Sequence, residues 1–331
     1  MNSVESLNGG IRMIDQFGRN IEYLRLSITD KCNMKCIYCN PDGKLCTPPE
    51  SFQLSVDDIE RTVKAMVRVG IKKVRITGGE PTVRPDLIDI VAKIAAIQGI
   101  EDISMTTNGL RLPQLAVQLK HAGLHRLNIS LDSLDPVKFE EITGGGKLSS
   151  VLEGIDLALS IGLTPIKINT VLIRGINDNE IDGLIDLAKD RPIDVRFIEL
   201  MPIGPYGESN KSSILTSDEV LAKRPHLTLL QRDDKGAPAV YYGIEGYQGR
   251  IGFISPISHE FCGDCNRIRV TADGKIRPCL GHNGEVDILP FFALAEAEFD
   301  AKIADIIFHK PRGHHFNTGF NSKRNMNRIG G

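Results

Sequence analysis

Between residues 21 and 201 short apolar runs alternate with longer stretches of helical periodicity, and this repetition restricts the possible fold more than any other feature. Six strands are predicted: Tyr23–Ile28, Lys73–Thr77, Asp102–Thr106, Arg126–Leu131, Ile166–Leu172 and Asp194–Ile198. Helix starts are read at Ser55–Asp58, Pro85–Leu87, Leu112–Gln114 and Asn177–Asn179, and helix ends at Gly70, Gly123 and Gly162. Strand then helix, six times over, predicts parallel βαβ units with the helices outside. Six units are too few for a closed eight-fold barrel. The expected fold is therefore α/β, a partial (β/α)6 TIM-type barrel; a doubly wound sheet is the alternative. After Met201 the alternation stops and the chain becomes loop-like and glycine-rich, with a change of character within residues 202–240. Two domains are expected: a partial barrel over 1–235 and an irregular C-terminal domain over 236–331.

Alternate residues of a strand face opposite sides of its sheet. One face of the six strands reads Leu24, Leu26, Ile28, Val74, Ile76, Ile103, Met105, Leu127, Ile129, Leu131, Ile166, Ile168, Val195 and Phe197, and suits packing against helices. The other carries Ser104, Thr106, Asn128, Ser130, Asn169 and five cations: Arg25, Lys73, Arg75, Lys167 and Arg196. Parallel strands covered on both sides are usually apolar on both, and unpaired buried charge is costly. The cations therefore need anions. Internal ion pairs with Glu80, Asp132 or Glu199 are one answer. A wet cavity for a polyanionic ligand, phosphate being the natural candidate, is the other.

Composition narrows the class of protein. With 331 residues, 41% hydrophobic and 25% charged, the chain is an ordinary globular one with room for a sizeable core. A formal charge of −2 and the lack of tryptophan give no basic, aromatic surface for nucleic acid. No apolar run nears the roughly 20 residues of a membrane span, and the polar start is no signal peptide, so a cytoplasmic location is expected. There, seven cysteines read as metal ligands or reactive thiols before disulfides.

Six of the seven fall into two sets. Cys32, Cys36 and Cys39 (C-x3-C-x2-C) follow the first strand directly. A cubane cluster takes about one thiolate per iron, so three thiolates leave one iron open for chemistry. Cys262, Cys265 and Cys279 form the second set. Zinc is a real alternative there, because His259 stands nearby and Cys3His is a common structural zinc set. Cys46 reads as an ordinary thiol. The distinctive loops all follow strand ends, as active-site loops of β/α barrels do: the cysteines, Gly78-Gly79-Glu80-Pro81, Thr106–Gly109, Ser130–Asp132 and Glu199–Met201. Paired glycines let a backbone approach a ligand closely.

Cys32-x3-Cys36-x2-Cys39 with Tyr38, followed by Gly78-Gly79-Glu80-Pro81, resembles the radical S-adenosylmethionine enzymes. The second cysteine set, Asn266 to Arg269 and the terminal Arg328-Ile329-Gly330-Gly331 are similar to the GTP-cyclising branch that opens molybdenum cofactor biosynthesis. The resemblance covers nearly the whole chain. It implies two 4Fe–4S clusters, one on each cysteine set, with S-adenosylmethionine chelated to the first and the guanine of GTP on the second. It implies S-adenosylmethionine contacts at Tyr38, Gly79, Ser130 and Met201. GTP contacts are implied at Arg25, Arg75, Thr106, Lys167, Arg267, Ile268 and Arg269. Arg267, Arg269, Gly330 and Gly331 are implied to support catalysis, although a terminal glycine pair would by itself read as frayed. The implied reaction is lyase chemistry: a 5′-deoxyadenosyl radical takes the ribose 3′ hydrogen, and C3′ then attacks guanine C8. The implied partners are a flavodoxin- or ferredoxin-like electron donor, a downstream cyclic pyranopterin monophosphate synthase and a second copy of the chain. Asn40 departs from the methionine of many relatives.

Overall fold

The structure is a computed structural model describing residues 4–7, 10–40, 52–320, 322 and 324–330. Cys46 and Gly331 lie outside the described residues. The six predicted strands are present as β1 (Tyr23–Ser27), β2 (Lys73–Thr77), β3 (Asp102–Thr107), β4 (Arg126–Ser130), β5 (Ile166–Leu172) and β6 (Ile193–Glu199). They pair in chain order and in parallel. The intervening helices begin and end where their signals lie. Ser55 caps Val56–Arg68 in a reciprocal capping box with Asp58. Gly70, Gly123 and Gly162 stand at positive φ just beyond their helices, a conformation that costs L-residues about 1–2 kcal/mol.

The C-terminal region is more regular than expected. Ile251–Ile254 (β7) joins the sheet in parallel beside β6, and Arg267–Val270 (β8) joins it in parallel beside β1. Further short strands continue antiparallel on both flanks, making 12 strands in one open sheet among the described residues. A 13-residue helix, Glu296–Phe308, follows. These strands were not legible because each is at most four residues long, so no periodicity develops. Their effect is to place the second cysteine set against the first strand of the barrel.

Parity holds across the sheet. Leu24, Leu26, Val74, Ile76, Ile103, Met105, Leu127, Ile129, Ile166, Ile168 and Val195 are all at most 1% exposed and belong to one continuous core beneath the helices. Each such side chain contributes about 1.5–3 kcal/mol of burial. On the opposite face the register sets Arg269 beside Arg25, Arg25 beside Arg75, and Thr106 beside Asn128, which in turn lies beside Lys167. A second small core of Ile203, Phe316, Phe320 and Ile329 seats the end of the chain. Among the described residues no helix is long and apolar enough to cross a membrane.

Candidate active site

The first cysteine set lies on the loop leaving β1, and the Gly78–Pro81 loop leaving β2 is bonded to it. Gly79 donates its N–H to the Thr29 carbonyl at 2.7 Å, and Glu80 to that of Lys31 at 2.8 Å. This approach explains the glycines. A Cβ on Gly79 would stand 2.4 Å from the Lys31 carbonyl oxygen, and one on Gly78 2.5 Å from that of Thr29. Glu80, buried, accepts from Thr82 N–H (3.0 Å) and hydroxyl (2.6 Å), Thr107 hydroxyl (2.7 Å) and Asn108 N–H (2.7 Å). Burial raises its pKa against these bonds. It is a keystone between loops. Tyr38 donates its hydroxyl to Asp132 at 2.7 Å, and Asp132 also accepts from Val171 N–H at 2.8 Å. Burial pushes Asp132 up to about 6.

Burial pushes the three thiols up, Cys32 to about 11, Cys39 to about 12 and Cys36 well above its ordinary value; Glu80 adds to the rise at Cys32, and neighbouring thiols add to it at Cys36 and Cys39. Burial here conflicts with ionisation, so without a nearby cation they stay neutral thiols. A cation cluster that takes them as thiolates removes the conflict, so the donor set fits a bound metal cluster.

The second set surrounds the same space. Cys265 is opposed by burial, yet Arg267 and Lys310 outweigh that and bring it down to about 6. Arg267 donates to its Sγ at 3.3 Å and stacks on Phe261, 5.0 Å from the ring centroid. His259 does not complete a zinc set in this arrangement: its Nε2 sits 2.9 Å from Asp218 at the surface. Among the described residues the ligand atoms that gather within 4.8 Å are those of Glu260, Cys262 and His314, which takes only one of the three cysteines. Zinc–sulfur bonds of about 2.3 Å would instead draw all three sulfurs tightly together.

All six cysteines line one cavity of about 320 Å³. Tyr38, Gly79, Ser130, Met201, Arg25, Arg75, Thr106, Arg267 and Arg269 line it too. Lys167 stands further back, its Nζ 5.9 Å from the Tyr241 ring. Ile268 is fully buried in the core, on the opposite face from Arg267 and Arg269, so its side chain is turned away from the cavity. Gly330 is buried; its carbonyl accepts from Arg269 at 2.6 Å and from Arg25 at 3.4 Å.

The expected ion-pair partners are taken elsewhere. Glu80 and Asp132 are held as described. Glu199 accepts from Ile257 N–H (3.0 Å), Ser258 N–H (3.1 Å), Ser258 hydroxyl and Ser217 N–H (3.3 Å). Lys73 pairs with Glu22 at 3.0 Å. Arg196 donates to Asn128 at 2.6 Å. Burial, followed by the neighbouring cations, lowers Arg75 to about 10, Arg269 to about 9 and Lys167 to about 7. A chamber that depresses its own cations is one that gains from an anion.

Several supporting residues carry no sequence signal. Buried Lys310 donates to the Pro278 carbonyl at 2.6 Å beside Cys279. Arg19, paired with Asp15, reaches the Cys262 carbonyl at 3.0 Å and that of Arg312 at 2.9 Å. The carbonyls they reach lie between 32 and 293 residues away in the chain, beyond any periodicity.

Residues 26–188 match the radical SAM superfamily, and residues 193–316 match the Molybdenum Cofactor Synthesis C family. A GTP 3′,8-cyclase of Alkaliphilus oremlandii is 47% identical over 321 residues, covering 96% of this chain and 100% of that protein. One from Peptoclostridium acidaminophilum is 45% identical, covering 96% and 98%. The chain belongs to the GTP 3′,8-cyclase family of radical S-adenosylmethionine enzymes. Two 4Fe–4S clusters and S-adenosylmethionine are the cofactors of the GTP 3′,8-cyclases. Among solved structures, Streptococcus suis SuiB superposes with a TM-score of 0.57 at 15% identity, covering 93% of this chain and 70% of SuiB. That likeness extends the shared fold to the C-terminal region.

Proposed function

We propose that the protein cyclises GTP to (8S)-3′,8-cyclo-7,8-dihydroguanosine 5′-triphosphate, the first step of molybdenum cofactor biosynthesis. The observation that carries this is the single cavity lined by both cysteine sets and by the barrel arginines. Bound to Cys32, Cys36 and Cys39, a reduced 4Fe–4S cluster with S-adenosylmethionine supplies one-electron, hydrogen-abstracting chemistry. The residues of the chain supply placement. Arg25, Arg75 and Lys167 hold the triphosphate, relieving their crowding. Thr106, whose buried hydroxyl has no partner among the described residues, offers a further polar contact. Cys262, Cys265 and Cys279 hold the second cluster, and Arg267 and Arg269 orient the base beside it. Tyr38, Gly79, Ser130 and Met201 wall the S-adenosylmethionine site. Holding the ribose fixed decides which hydrogen is lost, since effective molarity depends steeply on geometry.

Functionally the chain divides into residues 1–235, with the first cysteine set, and 236–331, with the second and the tail. The same proposal places the enzyme in the cytoplasm as a homodimer. A flavodoxin- or ferredoxin-like donor reduces it, and a cyclic pyranopterin monophosphate synthase consumes its product. Reconstituted anaerobically with S-adenosylmethionine and reductant, the protein is expected to form 5′-deoxyadenosine and consume GTP in about equal amounts. S-adenosylmethionine cleavage indifferent to GTP would favour a peptide-modifying radical enzyme instead, for which the cationic barrel has no use.

Lys167 gives a second test. At pH 8 a lysine held near 7 is mostly neutral, and an adjacent triphosphate raises its pKa. GTP binding at pH 8 is therefore expected to take up about one proton, and to weaken as pH rises through 7. Calorimetry in buffers of different ionisation enthalpy reads the uptake. Lys167→Met should abolish it, and an unchanged uptake in that variant would move the triphosphate elsewhere.

A further inference from the structure

The tail touches the first cysteine loop as well as the arginines. Asn327, 5% exposed on the single turn Met326–Ile329, turns its backbone N–H towards Cys39, where it favours the thiolate. Its side-chain Nδ2 donates to the Asp30 carbonyl at 3.1 Å, two residues before Cys32. Its Oδ1 is buried, has no hydrogen-bond partner among the described residues, and belongs to a side chain lining the cavity. A buried acceptor left unmatched is costly, so the position favours a ligand that donates to it. The amide is held by its other atoms and is not free to turn away. Ile329, two residues on, is anchored in the small core with Phe316 and Phe320, so the placement of Asn327 is fixed from both sides.

We propose that Asn327 is a tail-borne positioning residue of the S-adenosylmethionine site. Its N–H bonds a cluster thiolate, and its Oδ1 accepts from an N–H or O–H of S-adenosylmethionine. This rests on the proposed placement of S-adenosylmethionine beside Cys32, Cys36 and Cys39, and makes that site dependent on a seated tail. Hydrogen bonds to cluster sulfurs also help set reduction potential, so the N–H contact ties tail seating to the cluster's readiness to accept an electron.

The test uses the full, anaerobically reconstituted chain without reductant, so that nothing turns over. Asn327→Ala is expected to weaken S-adenosylmethionine binding roughly 10-fold by calorimetry, with iron content and GTP affinity unchanged. Should that variant load poorly, a chain ending at Asn325 provides the second measurement, with the same loss expected. A Kd within about twofold of wild type in either fully loaded variant would overturn the inference. A second readout is the midpoint potential: Asn327→Pro removes the N–H and should make the first cluster harder to reduce, and an unchanged potential counts against the sulfur contact. If the wild-type chain itself binds no S-adenosylmethionine, it is the functional proposal that falls; if wild type binds and the variants bind equally, only the role of Asn327 does.

Discussion

Replacing Cys36 with alanine is expected to cut the iron of the reconstituted protein from about eight to about four per chain and to abolish S-adenosylmethionine cleavage. Cys265→Ala should lose the same amount of iron with a different consequence. S-adenosylmethionine cleavage by the reduced protein should survive, while GTP turnover falls by roughly 10³-fold or more. The asymmetry follows from the cavity. Cys32, Cys36 and Cys39 stand beside the Gly78–Pro81 loop, Tyr38 and Asp132, whereas Cys262, Cys265 and Cys279 stand beside Arg267, Arg269 and Lys310. Each set therefore has its own polar surroundings within one space. Iron and sulfide analysis with chromatographic detection of 5′-deoxyadenosine and the GTP product reads all of these outcomes. Two zincs and no sulfide in the wild-type chain would defeat the expectation at its base. Equal loss of S-adenosylmethionine cleavage in both variants would show that the two sets do not have separate tasks.

The barrel interior was legible because strand parity is a strong code. Arg25, Arg75, Thr106 and Lys167 alternate with Leu24, Val74, Met105 and Ile168, and the structure places the two groups on opposite faces. The same code applies to Ile268: between Arg267 and Arg269 it must face the core, and it does. What the sequence could not display was association across long separations. Arg19 meets Cys262, Lys310 meets Pro278, and Asn327 meets Asp30, each over tens to hundreds of residues. Nor did β7 and β8 announce themselves, since their partners β6 and β1 supply the hydrogen bonds and the apolar cover that short strands lack alone. In the sequence the glycines of the Gly78–Pro81 loop read as room for a ligand to approach the backbone. The structure gives them a concrete role, the close approach of two backbones that fixes the cysteine loop.

Removing Gly330 and Gly331 is expected to lower turnover about 100-fold, about 2.7 kcal/mol in transition-state terms, while leaving iron content intact. Gly330 is the one described residue of that pair, and its carbonyl takes bonds from Arg269 and Arg25, two of the cations that the proposed function assigns to GTP. A neutral carbonyl between two arginines orders them without cancelling their charge, so the tail prepares the chamber rather than competing fully with a triphosphate. Its position demands glycine. Its φ is +74°, and a Cβ there would stand 3.0 Å from the Ser27 Cβ and 3.1 Å from the Thr77 hydroxyl. Gly330→Ala should therefore incur about 1–2 kcal/mol of backbone strain and unseat the tail in part. If Arg269 acts through this contact, Arg269→Ala in the truncated chain should add little to the truncation alone, a non-additivity that a double-mutant cycle reads directly. Fully additive losses would separate the arginine from the tail. Wild-type turnover in the truncated chain would return Gly330 and Gly331 to the status of an ordinary chain end.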